Sequence, residues 1–368
     1  MSGAVAERCT LAAYFTYSVC LTAFIYPVVV HWGWSPDGWA SAWREKDLLI
    51  GCGAVDFAGS GVVHMTGGVA AVIGAKMLGA RKDPNPDLPA QSYVFQTLGV
   101  LILWTGWYGF NGVSTVAING LGQVAAKAMV TTTISAGTGA IATVFTTALY
   151  EKKENGGIVI KLSSANNGVL AGLVSITAGC STVDPYGAFI IGLLAAPVYV
   201  FASKLLKRLG IDDVVDAFPI HGVCGFYGVF MTGLFATKNN FASAYYAYRA
   251  EKCAGVFYGG DGSMLAANIT MLLAIIAWTG TCSTFVFGIL YKLNLLRVSY
   301  EVEDEGMDIS EHGIGFRGRN KFLSYVKQQL EVDGRQSHKT NQKNTPGKGS
   351  FSMIPGGLAA ASPPSQIS

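Results

Sequence analysis

Gly61-Val-Val-His-Met-Thr-Gly-Gly-Val-Ala-Ala-Val-Ile-Gly-Ala75 is a run of apolar and small residues with one titratable side chain, His64, inside it. A second run, Ala217-Phe-Pro-Ile-His-Gly-Val-Cys-Gly-Phe-Tyr-Gly-Val-Phe-Met-Thr-Gly233, places His221 in similar surroundings. Each lies in a stretch long enough to cross a bilayer as a helix, for which roughly 20 apolar residues are needed. A titratable group at membrane depth is costly and by default marks a path for a substrate, ion or proton. Two such groups in matching contexts, in a chain with 5 histidines, point to one shared site.

The rest of the composition agrees with a membrane setting. Of 368 residues, 51% are hydrophobic, 13% are charged and 46 are glycine, which indicates an all-α polytopic membrane protein. The net charge of +3 is spread along the chain and gives no basis for a nucleic-acid partner. The cysteines at 9, 20, 52, 180, 224, 253 and 282 form no CxxC or metal-ligand spacing and read as small buried residues. Neither a metal nor a cofactor is expected. Residues 1–8 lack the basic start and apolar core of a signal peptide, so insertion is expected to rely on the spans themselves.

Eight spans are expected, near 10–31, 59–79, 92–112, 123–149, 165–183, 186–206, 217–237 and 266–291. Alternate connections carry Arg81 and Lys82, then Lys152, Lys153 and Lys161, then Lys204, Lys207 and Arg208, with Arg8 before the first span and Lys292 and Arg297 after the last. The opposite set is poorer in cations, holding Arg44, Lys46, Lys238, Arg249 and Lys252. Basic residues mark the cytoplasmic side, so both ends of this chain are expected there. Small residues, as in Thr131-Thr-Thr-Ile-Ser-Ala-Gly-Thr-Gly-Ala140, let helices approach closely in lipid and predict a compact bundle. The chain divides into a transmembrane domain over 1–300, a cytoplasmic segment over 301–334 with one helix near 319–331, and a polar tail over 335–368 that reads as disordered.

Both histidines follow an acid. Asp56 is eight residues before His64 and Asp216 five before His221, a pattern expected of an internal duplication around a central site. Each Asp stands near a span start, where capping of free backbone amides is the expected role. Asp212 and Asp213 read as solvated. Neutral imidazole both donates and accepts a hydrogen bond and has a reference pKa near neutrality, so the pair could pass protons or hold a small polar molecule in single file. His31, His312 and His338 lie at a span end or in the tail and receive no such role. Tyr26, Trp32, Trp34 and Trp39, with Trp104, Trp107, Tyr108 and Phe110, read as interface-belt aromatics, the alternative being a cage for a small cation. Ser60, one helical turn before His64, could imitate a serine nucleophile beside a base. No third group or oxyanion donor accompanies it, so an enzyme is not expected.

Ala54-Val-Asp-Phe-Ala-Gly-Ser-Gly-Val-Val-His-Met-Thr-Gly-Gly68, Trp107-Tyr-Gly-Phe-Asn-Gly112 and Asp216-Ala-Phe-Pro-Ile-His-Gly-Val-Cys-Gly225 resemble the signature segments of the ammonium transporter family (Amt/Mep/Rh). Ser2-Gly-Ala-Val-Ala-Glu-Arg8 and His31-Trp-Gly-Trp-Ser-Pro-Asp-Gly-Trp39 are similar to its plant and algal branch. The resemblance implies a helical bundle of inverted-repeat ancestry, a homotrimer in the plasma membrane with one pore per subunit, and ammonium, ammonia or the analogue methylammonium as substrate. It assigns His64 and His221 to the pore, Trp34 and Ser114 to external ammonium recruitment, Phe110 to a gate, and Asp56 to an essential structural role. Gly306-Met-Asp-Ile-Ser-Glu-His-Gly313 resembles the family's cytoplasmic regulatory segment, with Ser310 where relatives carry a phosphorylatable Thr.

Family members have eleven spans, and this chain starts at what resembles the fourth. The absent three would supply a second gate phenylalanine and part of the pore wall. Two other readings accompany transport: an ammonium sensor signalling through the cytoplasmic segment, and a non-functional truncated copy.

Overall fold

The structure, a computed structural model, describes residues 1–82 and 92–310. The compact body over Met1–Met307 is helical, with only isolated backbone bridges such as Cys9 to Arg297 and Val183 to Ala236 among the described residues. Among the described residues, eight long helices follow the eight apolar runs. They are α1 Leu11–Trp34, α2 Ser60–Leu78, α3 Tyr93–Gly112, α4 Gly122–Asn155, α5 Leu162–Thr177, α6 Pro185–Arg208, α7 Phe218–Phe235 and α8 Ser263–Lys292. Six of them are long and apolar enough to cross a membrane by length and composition. The other two are α5, with 16 residues, and α3, diluted by Gln96, Trp104, Trp107, Tyr108 and Asn111.

The expected fifth span, 165–183, is cut short. Beyond Thr177 the carbonyls that would continue the helix are engaged elsewhere: the amides of Phe57 and Ala58 donate to Ala178 O and Thr177 O at 3.0 and 3.2 Å. The loop ahead of α2 thereby caps the end of α5.

Helices meet at backbone contact where side chains are smallest. On α4, Ser135 presents its carbonyl oxygen to both neighbours; a Cβ on Gly172 of α5 would lie 2.3 Å from it and a Cβ on Gly192 of α6 2.4 Å. Lipid supplies no hydrophobic drive for helices to associate, so close packing of this kind, with Ser135 Oγ donating to Gly172 O at 2.8 Å, does that work.

At one end of the bundle, Cys52 and Cys253 form a disulfide across 201 residues. This corrects the reading of all seven cysteines as unpaired packing residues; Cys9, Cys180 and Cys224 are free and buried, Cys20 and Cys282 free and half-buried.

At the other end, Asp212 and Asp213 are not solvated. Asp212 takes a bidentate contact from the Arg81 guanidinium, Nε to Oδ2 at 2.8 Å and Nη2 to Oδ1 at 3.1 Å, plus the Arg81 amide at 3.0 Å. The fully buried Arg8 donates to Asp212 O at 2.6 Å and Gly79 O at 2.9 Å, tying the N-terminal segment to two connections. Asp213, 8% exposed, accepts the Phe218 amide at 2.7 Å and caps α7.

Burial pushes the Asp212 carboxyl up, but the hydrogen bonds from Arg81 outweigh it and hold the group below its ordinary value. A depressed folded pKa contributes stability above the unfolded value, about 3.9 for Asp, that disappears as pH falls through the folded one. Asp212→Asn should therefore lower the thermal midpoint equally at pH 8 and pH 6, and the gap from wild type should close below about pH 4. A scan of both proteins in detergent across that range checks it.

Candidate functional site

Both histidines sit in π-helical turns, His64 in Ser60–Met65 and His221 in Phe218–Val223. A π turn inserts one extra residue per turn, re-aims its side chains, and is found mostly at functional positions. The start of the His64 turn is held from upstream. Asp56, 3% exposed, accepts the amides of Gly59 at 3.1 Å, Gly61 at 2.9 Å and Val62 at 2.8 Å. Gly59 bends the chain with φ +103°, a conformation that L side chains rarely adopt. Its carbonyl then receives the His64 amide from five residues on, at 3.0 Å. For His221 the expected cap at Asp216 falls instead to Asp213, while Pro219 has no amide proton to give. Asp216 adopts φ +54° and turns to α6, accepting Tyr199 Oη at 2.7 Å and Ser203 Oγ at 2.9 Å. Asn167 of α5 in turn donates to Tyr199 Oη at 2.7 Å.

These turns bring the imidazoles together. His64 Nδ1 lies 3.2 Å from His221 Nδ1, with ring centroids 5.2 Å apart and planes 19° from parallel. One Nδ1 must carry the proton and the other the lone pair. The ring donating from Nδ1 has a lone pair at Nε2, and the ring accepting at Nδ1 carries a proton at Nε2. The neutral pair thus presents one acceptor and one donor at its outer nitrogens, joined by an internal hydrogen bond. His64 Nε2 is buried and has no partner among the described residues.

Trp107, grouped with the interface belt in the sequence, belongs to this site. It is 7% exposed and stacks on His64 at 5.0 Å and 11°, and its Nε1 donates to Thr177 Oγ1 at 3.0 Å. Phe110, on the same helix, lies 5.5 Å from the His64 ring and 5.6 Å from Trp107. The offset Trp107 to Phe110 is the only linear hint, since it sets both rings on one face of α3.

The other expected residues are distributed around this centre. Trp34, at the end of α1, donates its indole N–H to Asp56 O at 2.7 Å and packs, half-buried, against the core cluster of Val29, Val62 and Met271. Ser114 Oγ donates to Phe110 O at 2.6 Å, keeping its lone pairs as acceptors just beyond α3. Trp32 packs with Trp39 and Trp278, each at 5.7 Å, as a cluster of its own. Ser60 Oγ donates to Val174 O and accepts the Ala178 amide, both at 2.7 Å, so its hydroxyl joins α2 to α5. Gly306 has φ +90° at the end of a short helix, Tyr300–Glu305, and Ser310 is exposed. Glu311, His312, Gly313, the expected helix near 319–331 and the tail lie outside the described residues.

The family model described as Ammonium Transporter Family matches residues 1–315. The chain belongs to the ammonium transporter family. It is 42% identical over 331 residues to Putative ammonium transporter 1 member 5 of Arabidopsis thaliana, a match covering 85% of this chain and 64% of the relative. Ammonium transporter 1 member 2 of Arabidopsis thaliana is 41% identical, with 85% and 62% covered. Among solved structures, Sensor Amt Protein aligns with a TM-score of 0.69 at 28% identity, over 84% of this chain and 72% of that one. Candida albicans Mep2 aligns with a TM-score of 0.66 at 27% identity, over 81% and 62%. This ammonium transporter family member is an integral multi-pass membrane protein, and it spans just under two thirds of the length of those curated relatives.

Proposed function

We propose that this protein moves ammonium inward across the plasma membrane, taking up the cation near Trp34 and Ser114 and passing ammonia along His64 and His221. The observation that carries the reading is the hydrogen-bonded imidazole pair, held by two π turns against Trp107. An indole ring attracts a small cation, and the Ser114 lone pairs can accept from it. Stripping a charged ion of water in an apolar lumen is expensive, so the proton leaves before passage. Neutral ammonia both donates and accepts hydrogen bonds, and the outer nitrogens of the pair offer one group of each kind. The proton either stays outside or follows through the pair.

The assembly is a homotrimer, as the family resemblance implies, with both ends of the chain cytoplasmic. The Cys52–Cys253 disulfide supports that orientation, because it joins the two connections assigned to the exterior and disulfides persist in oxidising compartments. A sensor is the second reading, favoured by the alignment with a protein named Sensor Amt Protein; its output would run through 301–334, with Gly306 and Ser310 in the regulatory segment.

The test is tracer methylammonium uptake, with current recorded in parallel, by the purified full chain in liposomes. Uptake that ammonium competes away is expected. Neither flux nor current above empty liposomes overturns transport by this chain.

A further inference from the structure

We infer that Gly68 and Gly225 are positioning residues for the histidine pair, each setting the place of the histidine on the opposite helix. The inference rests on the proposed passage of ammonia along that pair.

Each glycine stands four residues, about one helical turn, after its own histidine. Yet each abuts the backbone beside the other. A Cβ on Gly68 would lie 2.2 Å from Gly222 N, 2.4 Å from Gly222 Cα and 2.9 Å from the His221 carbonyl carbon. A Cβ on Gly225 would lie 2.4 Å from Ser60 O and 3.1 Å from Met65 N, the first residue of the His64 turn and the residue after His64. Helices α2 and α7 therefore touch backbone to backbone on both sides of the imidazole contact, in a reciprocal arrangement. Gly67, next to Gly68 on the same helix, has nothing within 4 Å of its would-be Cβ.

The magnitudes decide what one methyl group would do. Carbon contacts settle near 3.5–4.0 Å, so relieving a 2.2 Å approach to backbone requires the two turns to part by about 1 Å or more. The Nδ1 to Nδ1 separation of 3.2 Å is already at the long end for a hydrogen bond and cannot absorb that shift. Neither Trp34 nor Ser114 is among the nearest neighbours of either glycine, so the effect is expected on passage rather than on recruitment of the cation.

The test uses the full chain with 15N-labelled histidine in liposomes, comparing wild type, Gly68→Ala, Gly225→Ala and Gly67→Ala. A scalar coupling between the two Nδ1 nuclei across the N–H···N bond reads the contact without reference to transport. Wild type and Gly67→Ala should keep it; Gly68→Ala and Gly225→Ala should lose it while retaining a cooperative thermal transition. Their uptake Vmax should fall about tenfold or more for the lost hydrogen bond, with KM within about twofold of wild type.

Four results overturn the inference: no coupling in wild type, coupling retained in both interface variants, equal loss in Gly67→Ala, or failure of both interface variants to fold. If wild type carries no tracer but the coupling disappears only in Gly68→Ala and Gly225→Ala, the transport reading fails and the positioning role stands.

Discussion

Asp56→Ala should lower the thermal midpoint by about 5–10 °C and deplete the protein from the membrane. The carboxylate is 3% exposed and accepts the amides of Gly59, Gly61 and Val62. Truncation leaves those donors buried without partners, at about 1–3 kcal/mol each. Partial relaxation keeps the total near 3–5 kcal/mol, the range of a severe single substitution, and each kcal/mol is worth about 1.5–2 °C in a body spanning Met1–Met307. Asp56→Asn should be milder, because the amide oxygen still accepts while its nitrogen opposes an N–H. Thermal unfolding followed by size exclusion in detergent measures both. An unchanged midpoint with lost uptake would move Asp56 from capping to cation binding.

The eight helices were legible because lipid imposes a simple rule, that an apolar run of sufficient length must be helical. The histidines were legible for the complementary reason, since each breaks such a run at a cost. What escaped depends on partners distant in the chain. Nothing local separates an α turn from a π turn at His64, and the amides of Gly61 and Val62 at its start are held by a carboxylate outside the turn, that of Asp56. Proximity to the span start points to Asp216 as the cap of α7, but the role belongs to Asp213, because Asp216 lies in the left-handed region and is held by Tyr199 and Ser203 of α6. The spacing of Cys52 and Cys253, 201 residues, carries no signal until loops from opposite parts of the chain meet. Trp107 illustrates a different limit. An aromatic near a span end has the same appearance in sequence at the lipid interface and in the interior, and only its stack on His64 separates the two.

His64→Ala and His221→Ala should each reduce tracer methylammonium uptake about 10- to 100-fold, the equivalent of about 1–3 kcal/mol for one lost hydrogen bond along an apolar path. The two should not be equivalent in packing. His64 is stacked on Trp107 and lies close to Phe110, so its removal frees both rings. His221 meets His64 through one face and one hydrogen bond, so its loss leaves the His64–Trp107 stack in place. His64→Ala should consequently show the larger fall in flux and His221→Ala the cleaner reading of the relay. Current recorded with uptake separates the two cargoes. Uptake that persists while current is lost assigns the proton to the pair, and joint loss of both assigns ammonia to it. Wild-type flux together with wild-type current in both variants would remove the histidines from the path altogether.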